Sequence, residues 1–206
     1  MSAELIFYTN PMSRGRIVRW MLEEIDAPYR TEIVEYGEPM KSEPYISINP
    51  MGKVPAIQHG SEVVTECSAI CAYLADAFPE AGLAPSLDQR AAYYRWLFFA
   101  AGPLESAVTM KGMALEVPED KRGMSGFGTM EAVVNALEQA LSNNEYVAGD
   151  AFSAADVYLG SQIGWALQFG TIEARPAFRE YFDRISSRPA WQRAKEMDDA
   201  LVPAQS

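Results

Sequence analysis

The chain has 206 residues, of which 49% are hydrophobic and 22% are charged, and its formal net charge is −11. This length and composition are typical of a folded globule with a sizeable core and exclude a disordered chain. The negative charge repels phosphate backbones and anionic lipids, so we expect neither nucleic acid nor a membrane as a partner. No apolar run approaches the roughly 20 residues of a membrane-spanning helix, and no secretory signal pattern opens the chain, so we expect a cytosolic protein.

The first residues alternate between strand and helix patterns. Residues 4–8 predict a short strand, Arg14 to Asp26 predict an amphipathic helix, and residues 29–35 predict a second strand. A strand, a helix and a strand in this order form a right-handed crossover, which makes the two strands parallel.

A hairpin and a further helix follow after a loop with a short helical piece. Two strand-like runs at 56–58 and 62–65 flank His59-Gly60-Ser61, which predicts a hairpin with a tight glycine turn. Residues 68–78 then predict a helix. Residues 1–78 therefore predict an α/β layer of βαβ-ββα order with mixed strand directions.

Beyond this layer the strand signals nearly vanish. Residues 79–87 are rich in proline and glycine and predict a linker, and residues 88–206 predict an all-α domain. Ser153 and Asp156 predict a capping box at the start of one of its helices. The predicted helices of this domain cover residues 88–115, 124–141, 154–169, 177–187 and 190–201.

Cys67 and Cys71 are the only cysteines, and their spacing of four places them on one face of a helix. No further ligands accompany them, so we expect buried thiols in a reducing compartment and no metal site.

Four motifs stand out when the chain is taken in order. They are Arg16 at a helix start after a strand, NPMGKVPA at 49–56, TECSAI at 65–70 with Tyr73-Leu74 a turn later, and YVAGDAFSAAD at 146–156. Together they resemble the bacterial cytosolic glutathione S-transferase family, and the resemblance covers essentially the full length. It implies an α/β plus all-α fold, in which a thioredoxin-like domain precedes a helical-bundle domain.

Pro55 interrupts an apolar run that otherwise predicts a buried strand, because proline has no N–H group for a sheet ladder. The resemblance implies that the Val54–Pro55 bond is cis and that Val54 pairs through its backbone with the cysteinyl part of glutathione. The alternative is a trans proline at an ordinary sheet edge.

Glu66 precedes a helix start, and the resemblance implies that its carboxylate meets the α-ammonium group of glutathione. The N–H groups of the first helical turn would receive the α-carboxylate. The family usually has serine at the next position, where this chain has Cys67, and a thiol is a poor donor. Either the backbone N–H groups of Cys67 and Ser68 suffice, or affinity at this end is reduced. The alternative for Glu66 is a solvated acid.

Two lysines are candidates for the glycyl carboxylate of glutathione. The resemblance implies this role for Lys53, and also for Lys41, which lies three residues before Pro44 as a family histidine does. The alternative for both is a solvated surface lysine.

The reactive centre is expected in the turn before Arg16. No cysteine is present at residues 8–16, which argues against a mixed-disulfide mechanism. In the family a hydroxyl group holds the glutathione sulfur as a thiolate, and a hydrogen bond to the charged form lowers a thiol pKa. Ser13 is the predicted catalytic donor, with Asn10 and Tyr8 as alternatives. Ser13 is also a candidate for capping the following helix.

The resemblance further implies a pocket for a small hydrophobic electrophile, although helix-facing aromatic and methionine side chains more often form core. We expect glutathione as a co-substrate, no metal and a homodimer. The expected activity is conjugation of the thiolate to the electrophile or glutathione-dependent reduction, and the alternative is a non-catalytic glutathione-binding or protein-interaction module. The candidate pocket residues are Met12, Phe99, Met110, Met113, Trp165 and Phe169.

Overall fold

The structure is a computed structural model and describes residues 3–202 of the chain. The chain divides into two compact units. The first unit contains the residues up to Gly82 together with those from Arg188 onward, and the second runs from Leu83 to Ser187. The division between Gly82 and Leu83 lies inside the predicted linker.

The first unit is built on a four-stranded sheet in the order β2-β1-β3-β4. Strands β1 and β2 are parallel, whereas β3 is antiparallel to both β1 and β4. This arrangement confirms the predicted mixed sheet and the predicted hairpin. The strands are β1 (Leu5–Thr9), β2 (Arg30–Ile33), β3 (Ala56–His59) and β4 (Glu62–Thr65).

Ten α-helices complete the part of the chain that the structure describes. In chain order they are α1 (Gly15–Ile25), α2 (Glu38–Lys41), α3 (Tyr45–Ile48), α4 (Cys67–Ala77), α5 (Arg90–Phe99), α6 (Glu105–Gly112), α7 (Met130–Asn143), α8 (Ala154–Gln168), α9 (Pro176–Ser186) and α10 (Pro189–Asp199).

Helix α1 is the predicted amphipathic helix, and it packs on both α4 and α10. Ile17, Met21 and Leu22 recur at helical spacing and are fully buried. Gly15 starts the helix against β1, because a Cβ atom at this position would lie 1.9 Å from Thr9 Oγ1. Glycine therefore permits an approach of helix to strand that no other residue allows.

Helices α5 and α6 of the second unit are joined by a π-helical segment, Ala100–Leu104, and together they occupy the region that was predicted as one helix over residues 88–115. Pro103 lies inside this segment. Proline cannot donate the hydrogen bond of a regular helical turn, and a π-bulge accommodates the missing bond.

Helix α7 starts at Met130, later than the predicted start at residue 124. Thr129 precedes it in an extended conformation, and its Oγ1 accepts a hydrogen bond from Ala132 N at 3.1 Å. The Thr129 side chain thus caps the helix. A separate 3₁₀ turn covers Glu119–Met124.

The predicted capping box at α8 is confirmed, and its carboxylate does more than cap the helix. Asp156 is fully buried, and its Oδ2 accepts from Ser153 N at 2.9 Å and from Ser153 Oγ at 3.0 Å. Its Oδ1 accepts from Val147 N at 2.8 Å and from Tyr181 OH at 2.9 Å. One carboxylate therefore joins the start of α8 to the preceding loop and to α9.

The last helix differs from the predicted domain organisation, in which residues 88–206 form one helical domain. Helix α10 belongs to the first unit, where it packs on α1. A buried ion pair joins Arg19 Nε to Asp198 Oδ1 at 2.7 Å, with both side chains 1% exposed. Arg188 also binds Glu24 through two bonds of 2.7 Å, so complementary charge fixes α10 against α1.

No helix within residues 3–202 combines the length and the apolar character needed to cross a membrane.

Candidate functional site

The end of strand β3 carries the candidate binding edge. The peptide bond between Val54 and Pro55 is cis, as predicted. Ala56 pairs with Tyr8 of β1 and with Thr65 of β4, so the hydrogen-bonded ladder ends at Ala56. The Val54 backbone therefore lies beyond the last strand pair of the sheet.

The same register brings the three predicted segments to one end of the sheet. Tyr8, Ala56 and Thr65 are aligned across neighbouring strands. Beyond this row, β1 leads into the turn at residues 10–13, the residues before β3 include Val54, and β4 leads into Glu66 at the start of α4. Sheet register alone therefore gathers the candidate sulfur donor, backbone edge and acid.

Buried side chains fix the peptide that precedes Val54. Tyr45 OH donates to Lys53 O at 2.6 Å, and Asn49 Nδ2 donates to the same oxygen at 2.8 Å. Burial raises the pKa of Tyr45 to about 12, so its hydroxyl remains a donor across the physiological range. The sequence did not single out either residue, although Asn49 lies within the 49–56 motif.

Lys41 braces the neighbouring loop. Its Nζ donates to Met51 O at 3.0 Å and to Gly52 O at 2.6 Å. Gly52 has a φ of +54°, and a Cβ atom there would lie 2.6 Å from Met40 O, so the loop requires glycine at this position. Lys53 is exposed beside this loop. The predicted roles of both lysines at the glycyl carboxylate stay predictions.

Glu66 precedes α4 in a strained backbone conformation. Its φ is +66° and its ψ is 119°, a region that non-glycine residues rarely adopt, and its side chain is exposed. Such conformations cost about 1–3 kcal/mol each and concentrate at ligand sites. Cys67 and Ser68 occupy the first turn of α4, at the positive end of the helix dipole.

Cys67 directs its sulfur toward α1, since its Sγ donates to Arg14 O at 3.5 Å. The side chain is buried, which places the first turns of α1 and α4 side by side. Neither cysteine forms a disulfide, and burial raises the pKa of the Cys71 thiol well above its usual range. Within residues 3–202, no cluster of three or more histidine, cysteine or acidic side chains is arranged to hold a metal ion.

The turn at residues 10–13 is held mainly by the side chain of Asn10. Its Nδ2 donates to Val34 O at 3.2 Å and its Oδ1 accepts from Met12 N at 3.0 Å. Tyr36 OH donates to Met12 O at 3.1 Å on the outer side of the turn. Asn10 is 4% exposed, so its amide group braces the turn from inside.

The Ser13 hydroxyl makes two hydrogen bonds within this turn. Its Oγ accepts from Gly15 N at 2.9 Å, so it satisfies one N–H group at the start of α1 from outside the N-cap position, which Arg14 occupies. The same hydroxyl donates to Asn10 O at 2.7 Å. A bound sulfur would therefore compete with Asn10 O for the hydrogen of the Ser13 hydroxyl group. The catalytic role of Ser13 stays a prediction.

Tyr8 is directed along the sheet. Its OH donates to Gln58 Oε1 at 3.3 Å, and its ring lies 5.8 Å from the ring of Tyr45. Both Tyr8 and Val54 pack against a small buried cluster of Val34, Met40 and Tyr45. The cluster supports the candidate edge from beneath.

The candidate pocket residues differ in exposure, and their common role stays a prediction. Met12 of the first unit is 65% exposed. In the second unit, Met113 and Phe169 follow the ends of α6 and α8 and are 56% and 72% exposed, respectively. Phe99 is half-buried and packs edge-to-face on Trp96 at 5.1 Å. Met110 and Trp165 are also half-buried.

Family models and a curated relative match this chain to the same family. The family models for the glutathione S-transferase N-terminal and C-terminal domains match residues 12–77 and 104–189. A glutathione S-transferase of Arabidopsis thaliana is 31% identical over 173 residues, which are 76% of this chain and 79% of the relative.

Solved structures extend the likeness to nearly the whole chain. A glutathione transferase from Methylococcus capsulatus is 27% identical with a TM-score of 0.79, and the match covers 95% of this chain and 99% of that one. A sphingomonad glutathione S-transferase, solved in complex with glutathione, is 28% identical with a TM-score of 0.75 over 94% and 98% of the two chains. The chain belongs to the glutathione S-transferase family.

Proposed function

We propose that this protein is a glutathione transferase that binds glutathione at the end of its sheet and uses the sulfur as a thiolate nucleophile. The observation that carries the proposal is the aligned row of Tyr8, Ala56 and Thr65, beyond which three chain segments leave the sheet together. These segments offer a backbone edge, an acid at a helix start and a turn with a hydroxyl group.

Each part of glutathione has a complementary group in this arrangement. Val54 offers its backbone to the cysteinyl unit as an added strand would. Glu66 offers a carboxylate to the α-ammonium, and the first turn of the 11-residue α4 offers N–H groups to the α-carboxylate. The exposed Lys53 offers its ammonium to the glycyl carboxylate. In this proposal, the first unit supplies a group for each part of the tripeptide.

The chemistry follows from stabilisation of the thiolate. A free thiol with a pKa of about 8.5 is only a few per cent ionised at pH 7. A hydrogen bond from Ser13 and the positive end of α1 both favour the charged sulfur, and its proton passes to solvent. The sulfur lone pair then forms a bond to an electrophilic carbon. In a substitution, the leaving group departs with the electron pair of the broken bond. In an addition, the electron pair of the double bond moves to the neighbouring atom, which takes up a proton.

A non-catalytic glutathione-binding module is the second candidate. The hydrogen bond from Ser13 Oγ to Asn10 O favours it, because a hydroxyl kept on that carbonyl gives nothing to the sulfur. Under this alternative, bound glutathione retains the thiol pKa that it has in solution.

Calorimetric titration with glutathione tests the binding site. Glu66→Gln should weaken binding by about fivefold, because an exposed ion pair contributes up to about 1 kcal/mol. Glu62→Gln is the matched control, since Glu62 lies at the opposite end of the hairpin, paired with His59. Equal affinities of both variants and the parent would remove Glu66 from the site, and an absence of binding by the parent would remove the proposed function.

Conjugation of glutathione to chlorodinitrobenzene tests the chemistry. Ser13→Ala should lower kcat by about a hundredfold if the hydroxyl holds the thiolate. Unchanged turnover would transfer the role to Asn10 or Tyr8, and no turnover by the parent with intact binding would favour the module.

We further propose that the protein acts as a homodimer in the cytosol, as the family resemblance supports. Light scattering of the purified chain tests the assembly, and a monomer over the working concentration range would contradict it.

A further inference from the structure

One arginine connects the last helix of the chain to the candidate sulfur-binding turn. Arg16 Nε donates to Pro11 O at 2.6 Å, and its Nη1 donates to Asp199 Oδ1 at 2.7 Å. The other oxygen of Asp199 accepts from Lys195 Nζ at 2.5 Å. A continuous chain of charge-assisted bonds therefore runs from α10 to the turn at residues 10–13.

The charges at this end of the α1–α10 pair oppose the helix dipoles. Arg16 lies in the first turn of α1, where the positive dipole end disfavours a cation. Asp198 and Asp199 end α10, where the negative dipole end disfavours anions. The two helices are antiparallel, since Arg188 before α10 binds Glu24 near the end of α1. Pairing between the helices explains charges that neither helix favours alone.

The Pro11 carbonyl is the group of the turn that Arg16 binds. Pro11 has no N–H group, so this oxygen is the only polar backbone atom that the residue offers. An arginine side chain is long, and a guanidinium held by one bond is free to rotate into water. A second bond to a carboxylate fixes the planar group, because its donors form a rigid fork. The hydrogen bonds from Lys195 and then from Arg16 lower the pKa of Asp199, which keeps this carboxylate charged.

We propose that Asp199 is a positioning residue for the sulfur-binding turn: it holds the Arg16 guanidinium on the Pro11 carbonyl and so fixes Ser13. The inference rests on the proposed function in one respect, which is that this turn receives the sulfur of glutathione. The last helix thereby takes part in activating a thiol that it does not touch.

If Asp199 acted only through its charge, its removal would change the pKa of the bound thiol in the opposite direction, which makes the inference testable. Removing the Asp199 charge leaves the positive field of Arg16 stronger, and this field alone would lower the pKa of the bound thiol. Loss of positioning weakens the hydrogen bond to the thiolate and raises that pKa.

The experiment compares three variants of the full chain. Asp199→Asn removes the positioning carboxylate, whereas Lys195→Met removes a charge and keeps the Arg16–Asp199 bond. Arg193→Gln loosens the far end of the helix pair, where Arg193 binds Glu23 at 3.0 Å. The measurements are glutathione affinity, the pKa of the bound thiol, kcat/KM, and hydrogen exchange of the Ser13 and Gly15 amides without ligand.

Positioning predicts that Asp199→Asn raises the bound thiol pKa by about one unit and lowers kcat/KM at pH 7 about tenfold, with glutathione affinity unchanged. The Ser13 and Gly15 amides should exchange faster in this variant only, because the first donates to Asn10 O and the second to Ser13 Oγ. Lys195→Met and Arg193→Gln should resemble the parent in every measurement.

Two results would overturn the inference. One is a lowered thiol pKa in Asp199→Asn together with a raised one in Lys195→Met, which is the signature of charge alone. The other is unchanged amide exchange in Asp199→Asn. If the parent binds no glutathione, the proposed function fails, and the exchange measurement still decides whether Asp199 fixes the turn.

Discussion

Replacing Asp156 by alanine should destabilise the second unit more than any surface substitution. The change leaves two buried N–H donors, Val147 N and Ser153 N, and two buried hydroxyls, Ser153 Oγ and Tyr181 OH, without the carboxylate that they share. Each orphaned buried donor costs about 1–3 kcal/mol, and local relaxation recovers part of the sum. We therefore expect a loss of about 4 kcal/mol in the free energy of unfolding.

Asp156→Asn refines this magnitude. The amide oxygen of the asparagine accepts from the donors on one side, while its NH₂ group faces the donors on the other side. We therefore expect a loss of about 2–3 kcal/mol in the free energy of unfolding. Asp150→Ala is the matched control, because Asp150 is an exposed acid in the same loop. Urea unfolding followed by tryptophan fluorescence measures all three variants. A loss below about 1 kcal/mol for Asp156→Ala would refute the reasoning, because a surface substitution alone produces a change of that size.

Three further predictions test other parts of the structure. Gly15→Ala should lower stability by about 2 kcal/mol in thermal melts, because the added Cβ would meet Thr9 Oγ1 at 1.9 Å. Thr9→Ala in the same chain should restore part of the loss, and a double variant whose loss equals the sum of the two single losses would contradict the clash. Tyr45→Phe should weaken glutathione binding by about threefold in calorimetry, because the Lys53 carbonyl keeps only its bond from Asn49. Unchanged affinity would show that the bonds to this carbonyl do not position the Val54 backbone for binding. The folded-state pKa of Asp199 lies below its usual value of 3.8, so the contribution of its ion pairs to stability is present above pH 3.8 and is lost as the pH falls through the folded-state pKa. The difference in melting temperature between the parent and Asp199→Asn should therefore shrink in acid, and a constant difference would contradict the ion pair.

Local patterns predicted the sheet and the capping box, because these depend on nearby residues. Two short strand-like runs on either side of a glycine turn specify the hairpin of β3 and β4. Ser153 and Asp156 lie three residues apart, and the cap forms between them. The start of α7 was predicted too early, because periodicity continues through residues 124–129 and only the cap at Thr129 marks the boundary.

The partner of the last helix could not be predicted from its own sequence. Helical spacing shows which face of α10 is apolar, but it does not show which surface that face covers. The Arg19–Asp198 pair spans 179 positions and becomes visible only in the folded unit. The dipole-opposed charges of Arg16, Asp198 and Asp199 were the available signal, since they require partners on another element.

The candidate site was predicted in part. The 49–56 motif identified Val54 and Pro55, and the sheet register then placed Glu66 and the turn at residues 10–13 at the same end. The bonds that fix these groups come from the side chains of Asn10, Tyr45, Asn49 and Arg16, which bind backbone groups of these segments. Such contacts depend on three-dimensional proximity and leave no local pattern.

Titration of the glutathione thiol in the complex tests the central claim most directly. Ultraviolet absorbance of the thiolate, recorded against pH for the complex and for free glutathione, gives both pKa values. We expect the bound thiol to ionise at least one unit below the pKa of about 8.5 of a free thiol, and Ser13→Ala to return it toward that value. An identical pKa for bound and free glutathione in the parent protein would contradict thiolate activation at this site.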